Sequence, residues 1–386
     1  MDLDQVIEKL ETRRNRLISF LPEKKRLFFS ELEKQMKNRA VLLYGPRGVG
    51  KTTFLLFMSK DCNLFYVSGD DPLLLYHPFY EMAEKVLLDY PGIIIDEAHS
   101  LKDWSKLIKA LYDSFPNKII WISDSSSVLL RKGIADLSRR FVSLKMPLVS
   151  LREYIYLETG QIIEKLSFPS DNLLEYATRV IKQVDVLQYF RKYREGGTRP
   201  FYLEGNFREK MINILEKTIY YDIPHLIGTI SENHFGALKA VVSFLLYSKI
   251  PTINVESMCR EWGIGKPKLY QLLYAMEEVG LVNIVRKEGV EKAYSKGSKI
   301  FFADPAFYFV FEGETGNFRE AFTVFALKER IRAAKREEEA DFVLDGVKLE
   351  IGGRGKVSKH SDYVIKDDLD LPVRNSVPLW MLGMLW

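Results

Sequence analysis

The chain has 386 residues, more than one hydrophobic core usually organises, so two to four domains are expected. Hydrophobic residues at 47% and charged residues at 28% exclude a disordered chain, while 56 Lys+Arg against 52 Asp+Glu (net +4) permits nucleic-acid binding without arguing for it. Two cysteines, Cys62 and Cys259, exclude a disulfide scaffold and a cysteine-built zinc site, and the apolar runs are too short to span a membrane, so a cytoplasmic protein in a reducing compartment is expected.

Before Ala40 the pattern is charged and helical, broken at Pro22. From Ala40 to about Met146 short apolar runs alternate with helical patterns. Strands are expected at Ala40–Tyr44, Leu64–Val67, Gly92–Ile95, Lys118–Ile122 and Phe141–Leu144, and helices near Lys51–Ser59, Pro78–Leu88 and Trp104–Asp113. Apolar runs without alternation mean strands covered on both faces, hence a parallel α/β sheet. A helical stretch follows from Pro147 to about Ile223, interrupted at Gly196-Gly197.

Gly45-Pro46-Arg47-Gly48-Val49-Gly50-Lys51-Thr52-Thr53 fits G-x-x-x-x-G-K-[ST] between a strand and a helix. The glycines let backbone N–H groups curl around phosphates, and the helix N-terminus favours negative charge. Lys51 is the expected partner of the β- and γ-phosphates of ATP, and Thr52 an expected ligand of Mg2+. Asp96, ending the third strand, is the second expected Mg2+ ligand, and Glu97 the residue that orients and polarises the attacking water. Ser125, after the fourth strand, is the expected γ-phosphate sensor. Arg140 is the expected arginine finger, acting in cis or from a second copy of the chain.

Further on, Val255–Trp262, the turn Gly263-Ile264-Gly265, the helix Lys266–Val279 and strands Leu281–Val285 and Lys299–Phe302 follow the order of a winged helix-turn-helix. Lys266, Lys268, Tyr270 and Gln271 of its second helix, with Arg286, Lys287, Lys292, Lys296 and Lys299 of the wing, are able to meet DNA. Residues 249–299 carry nine basic and six acidic side chains, a modest excess that leaves DNA contact and a protein-partner role both open. Beyond Asp304 an amphipathic helix near Phe318–Ala333, the charged run Lys335–Glu339, and strands Asp341–Leu344 and Val347–Ile351 are expected.

These residues together resemble the AAA-type P-loop ATPases of archaea and bacteria whose C-terminal domain looks nuclease-like. The resemblance rests on Gly45–Thr53, on Asp96-Glu97-Ala98-His99 with Trp104, on Ser123-Asp124-Ser125-Ser126 and on Arg140. It continues through Pro147–Tyr154, Gly196-Gly197-Thr198-Arg199-Pro200, Gly316–Glu320, Glu339–Phe342 and Pro378-Leu379-Trp380. Asp124 stands where that family usually has Gly. The resemblance implies an ATPase core at 1–146, a helical lid at 147–229, a winged helix at 230–303 and a restriction-endonuclease-like domain at 304–386.

In that last domain Glu320, Asp341 and Glu350 are candidates for a second Mg2+ site that would activate water for phosphodiester cleavage. Nucleases of that class carry a lysine two residues after the last acid. Here Gly352 takes the position, with Arg354 or Lys356 as substitutes, so a scaffold that has lost cleavage is favoured over a live nuclease. The function expected is an ATP-driven switch coupling nucleotide state to DNA or a protein partner. The alternatives are an ATP-regulated nuclease and a scaffold ATPase that never touches DNA.

Overall fold

A computed structural model describes residues 2–124, 137, 139–170, 172–228, 230–249, 251–290, 294–336, 339–353, 355–356, 360–367 and 369–386. The chain divides into two compact units, Met1–Pro147 and Leu148–Trp386.

The first unit begins with α1 (Leu3–Ser19), closed by a capping box between Asp2 and Gln5, and α2 (Leu27–Gln35). The α/β part follows: β1 (Ala40–Tyr44), α3 (Lys51–Asp61), β2 (Phe65–Ser68), α4 (Phe79–Asp89), β3 (Gly92–Asp96), α5 (Trp104–Ser114), β4 (Ile119–Asp124) and β5 (Val142–Lys145). All strand pairs are parallel, in the order β2-β3-β4-β1-β5. The unalternating runs are buried as expected: Val41–Leu43 and Ile93–Ile95 are shut off from solvent on both faces. Trp104, named by the family resemblance, packs against this core, partly buried.

From β1 the chain crosses over to β2 at one edge, and from β4 it crosses to β5 at the other. The direction of winding therefore reverses between β1 and β4. In an open parallel sheet the binding crevice lies there, at the carboxyl ends of the strands. That crevice is where Gly45–Lys51, Asp96 and Asp124 come out of the sheet.

The second unit opens with helices α6 (Leu151–Thr159), α7 (Leu173–Gln183), α8 (Val186–Gly196), α9 (Phe207–Lys217), α10 (Ile223–Ile227) and α11 (Glu232–Tyr247). The buried ion pair of Arg199 Nε with Asp304 Oδ2 (2.8 Å), joined by Thr198 Oγ1 at 3.2 Å, ties the Gly196–Pro200 stretch to the start of the C-terminal segment. Arg152 bonds the Ile163 carbonyl and the Trp386 carbonyl, and Asn317 Nδ2 bonds the carbonyls of Leu245 and Ser248. Arg152 and Asn317, both residues of the family resemblance, thus satisfy buried or part-buried backbone carbonyls.

Next come α12 (Val255–Trp262), α13 (Lys266–Glu278) and the antiparallel pair β6 (Val282–Val285) and β7 (Lys299–Phe302), close to the expected elements. The helix α14 (Phe307–Val310) leads to α15 (Thr315–Leu327) and a five-stranded mixed sheet, β12-β11-β10-β9-β8, of β8 (Ile331–Ala333), β9 (Phe342–Leu344), β10 (Val347–Gly352), β11 (Tyr363–Lys366) and β12 (Ser376–Pro378), closed by α16 (Leu379–Leu382). The helix expected over Phe318–Ala333 is thus too long. Ile331-Arg332-Ala333 instead pairs antiparallel with β9, and three residues carry too little pattern to separate strand from helix.

Candidate functional site

The loop Gly45–Gly50 turns at the end of β1, and Lys51 starts α3. Gly45 has φ 155°, and a Cβ on it would stand 2.3 Å from the Met146 carbonyl oxygen, so only glycine fits. Lys51 is buried, with Nζ donating to the carbonyls of Gly45 (2.8 Å) and Pro46 (3.1 Å). Burial pulls its ammonium down to about 8, against the opposing charges of Glu97, Asp96 and Asp124. Two neutral carbonyls hold Lys51 at the loop, and phosphate oxygens would compete with them on charge.

Asp96 is the buried hub. Its Oδ2 accepts from Thr52 Oγ1 (2.6 Å) and Tyr66 OH (2.9 Å), and its Oδ1 accepts from Ser123 Oγ and from the Glu97 N–H (3.1 Å). These bonds fix the carboxylate beside the Thr52 hydroxyl. Hydroxyl and carboxylate oxygens are the donor set a hard cation takes, so Thr52 and Asp96 fit Mg2+. The phenol of Tyr66 is pushed upward by burial and by Asp96, so it stays protonated and donating.

Glu97 follows with a left-handed backbone, φ 48° and ψ 47°. Burial and the charges of Asp96 and Asp124 raise its carboxyl, while Lys51 and His99 oppose the rise. His99 Nδ1 is 2.8 Å from Asp124 Oδ2 and 3.5 Å from Glu97 Oε2. Burial works against the imidazolium, but the bond to Asp124 and the charges of Asp124 and Glu97 carry His99 above its ordinary value.

Gly45–Thr53, Asp96 and Glu97 are therefore brought to one crevice. Ser125, the expected sensor, lies outside the described residues. Arg140 is elsewhere. Its Nε and Nη2 each bond Asp113, at 3.0 Å, near the end of α5. It precedes β5, which runs parallel to β1 with Val142 beside Val41. That puts Arg140 at the amino edge of the sheet, about 15 Å of strand from the loop at the carboxyl edge. Within its own chain Arg140 thus lies away from the loop, bonded to Asp113.

Two participants had no sequence signal, Arg26 and Tyr66, while Ser123, His99 and Asp124 carried the resemblance with no role assigned to their bonds. Arg26, buried, donates from Nη1 to the Val49 carbonyl (2.6 Å) and the Pro147 carbonyl (3.1 Å). No motif announces an arginine 23 residues upstream of its acceptor.

In the second unit Glu320, Asp341 and Glu350 also come together, but with two lysines among them. Lys299 Nζ is 2.7 Å from Glu320 Oε2 and 3.7 Å from Asp341 Oδ1; Lys356 Nζ is 3.1 Å from Glu350 Oε1 and 4.0 Å from Asp341 Oδ2. Burial raises the Glu320 carboxyl, with Lys299 opposing. The wing residue Lys299 is thus committed to this cluster and buried, which removes it from the candidate DNA face. Lys292 and Arg354 lie outside the described residues.

On α13 the exposed residues are Lys266, Pro267, Tyr270, Gln271 and Tyr274. Lys266 is paired with Glu256 at 3.0 Å, Lys268 Nζ bonds Gln271 at 3.1 Å, and Tyr270 lies 5.9 Å from the ring of Tyr294.

Residues 37–155 match the AAA domain family. An uncharacterized protein of Methanocaldococcus jannaschii is 28% identical over 317 residues, which cover 72% of this chain and 65% of that protein. Among solved structures, a Walker-type ATPase of Pyrococcus abyssi aligns at 16% identity and TM-score 0.39, over 74% of this chain and 94% of its own. RuvB of Thermotoga maritima aligns at 14% identity and TM-score 0.31, over 76% and 91%. The match to the AAA domain family covers the parallel sheet and the loop Gly45–Thr53. Among the described residues no helix is long and apolar enough to cross a membrane.

Proposed function

We propose that this AAA-type P-loop ATPase is a Mg2+-dependent ATP hydrolase that works as a conformational switch, passing its nucleotide state to a DNA or protein partner held by the second unit. The observation that carries the reading is the bond between Thr52 Oγ1 and Asp96 Oδ2 at 2.6 Å, with Lys51 and Glu97 beside it. It joins the start of the loop's helix to the end of β3 at one point. Mg2+, held by Thr52 and Asp96, would offset charge on the phosphate oxygens. Lys51 would bind the β- and γ-phosphates, and the Glu97 carboxylate would orient the attacking water and accept its proton.

Nucleotide binding and turnover in two variants test this. Lys51→Ala abolishes ATP binding; Glu97→Gln binds ATP and does not hydrolyse it. Hydrolysis unchanged in Glu97→Gln would remove Glu97 from the mechanism. For the partner, exposed Tyr270 and Tyr274 on α13 support a contact made by stacking and apolar area more than by phosphate charge, since Lys266 already has an acidic partner. DNA affinity measured across salt decides the matter: no binding even at low salt assigns this face to a protein.

The convergence of Glu320, Asp341 and Glu350 favours a second reading, metal-dependent phosphodiester cleavage. Lys299 weighs against it, because its ammonium occupies a Glu320 oxygen that a cation would need, whereas Lys356 beside Glu350 stands as the substitute lysine.

A further inference from the structure

His99 sits in the short turn Ala98–Ser100, directly after Glu97, with its side chain 13% exposed. Asp124, wholly buried, ends β4 and stands in register with Tyr44 on β1, so it is level with the entry to the Gly45–Thr53 loop. Its charge is felt at Lys51. The polar atoms of Glu97, His99 and Asp124 lie within 4.8 Å of one another.

A carboxylate accepts, so the 2.8 Å contact requires a proton on His99 Nδ1, donated to Asp124 Oδ2. Anchored there, the same ring edge faces Glu97 Oε2 at 3.5 Å. Glu97 also keeps a left-handed backbone, which a residue with a side chain holds only when its surroundings fix it. The Glu97 carboxylate thus lies beside an imidazole that is anchored on the end of β4.

We propose that His99 is a positioning residue for ATP hydrolysis: its Nδ1–H, anchored on Asp124, sets the place of the Glu97 carboxylate relative to the phosphate loop. The inference rests on the reading of Glu97 as the group that orients water. It adds that the end of β4 and Glu97 hold their geometry together through His99, so that a disturbance at His99 is felt in turnover and not in nucleotide affinity.

The test compares His99→Asn, His99→Gln and His99→Ala by steady-state ATP turnover, with nucleotide Kd from a fluorescent ATP analogue. The Asn side-chain nitrogen falls where Nδ1 stands, one bond from Cγ; that of Gln falls a bond further out. His99→Ala is expected to lower kcat by about 30-fold, the scale of a small misplacement, with KM and Kd within about twofold. His99→Asn should restore kcat to within about threefold of the parent, and His99→Gln should stay slow. A kcat for His99→Ala within about twofold of the parent overturns the proposal, as does an Asn variant as slow as the Gln one. If His99→Ala does not fold, the Asn–Gln contrast decides alone. Glu97→Gln, run alongside, separates the two claims. Turnover that survives it defeats the role of Glu97 and the inference with it. An inactive Glu97→Gln beside a fully active His99→Ala defeats the inference only.

Discussion

The side chain of Lys356 lies where a side chain on Gly352 would stand. A Cβ on Gly352 would come within 2.6 Å of both Lys356 Cβ and Cγ, and the lysine ammonium reaches Glu350 at 3.1 Å. A lysine four positions along the chain therefore fills the space beside β10, and the glycine admits it. Gly352→Ala should lower stability by about 1–3 kcal/mol, because the contact is with the rooted part of the lysine and not its free end. Urea denaturation of the full chain checks this; an unchanged midpoint would show that Lys356 moves aside freely.

Nucleotide binding should take up protons at pH 8.5. Burial holds Lys51 at about 8, so much of it is neutral there, and phosphate oxygens favour the charged form. Titration calorimetry in buffers of different ionisation heat should show roughly 0.7 proton bound per ATP. Lys51→Arg, charged throughout, should show none. The sign for stability runs the other way from that of a paired lysine. This group binds fewer protons folded than unfolded, so its contribution becomes more favourable as pH rises from about 8 towards the ordinary lysine value of 10.5.

Arg140→Ala should cost at most about 1 kcal/mol, since both Arg140 and Asp113 are partly exposed. Turnover per chain at low protein concentration should be unchanged. A loss of activity that appears only where copies associate would mean that Arg140 reaches across to a neighbour's nucleotide; the comparison is turnover against protein concentration in parent and variant.

Arg199→Ala should be severe. Arg199 and Asp304 are both buried, and removing one leaves the other charge without its partner, a loss of about 3–5 kcal/mol. Thermal unfolding should show a much lower midpoint for Arg199→Ala, and restored stability in Arg199→Lys would indicate that charge alone suffices.

The loop, the buried strands and the Asp96-Glu97 pair were legible because each is written in a few consecutive residues: a glycine spacing, an apolar run, an acid at a strand end. Strand order was not, since β1 and β4 become neighbours only through long-range pairing. Arg26, Tyr66 and the bond of Ser123 to Asp96 were invisible for the same reason, being made by folding and not by spacing. Sequence places Arg140 near β5 without saying at which end of the sheet it emerges. At Gly352 the motif position was empty in sequence, and the side chain that occupies its space comes from Lys356.

The Met146 carbonyl presses against Gly45, and Arg26 holds Val49 and Pro147 with one guanidinium nitrogen. The last residues of the ATPase unit are thus part of the wall of its nucleotide loop. Arg26 therefore ties the geometry of the phosphate loop to the last residues of the first unit, so the loop and the end of that unit share one anchor.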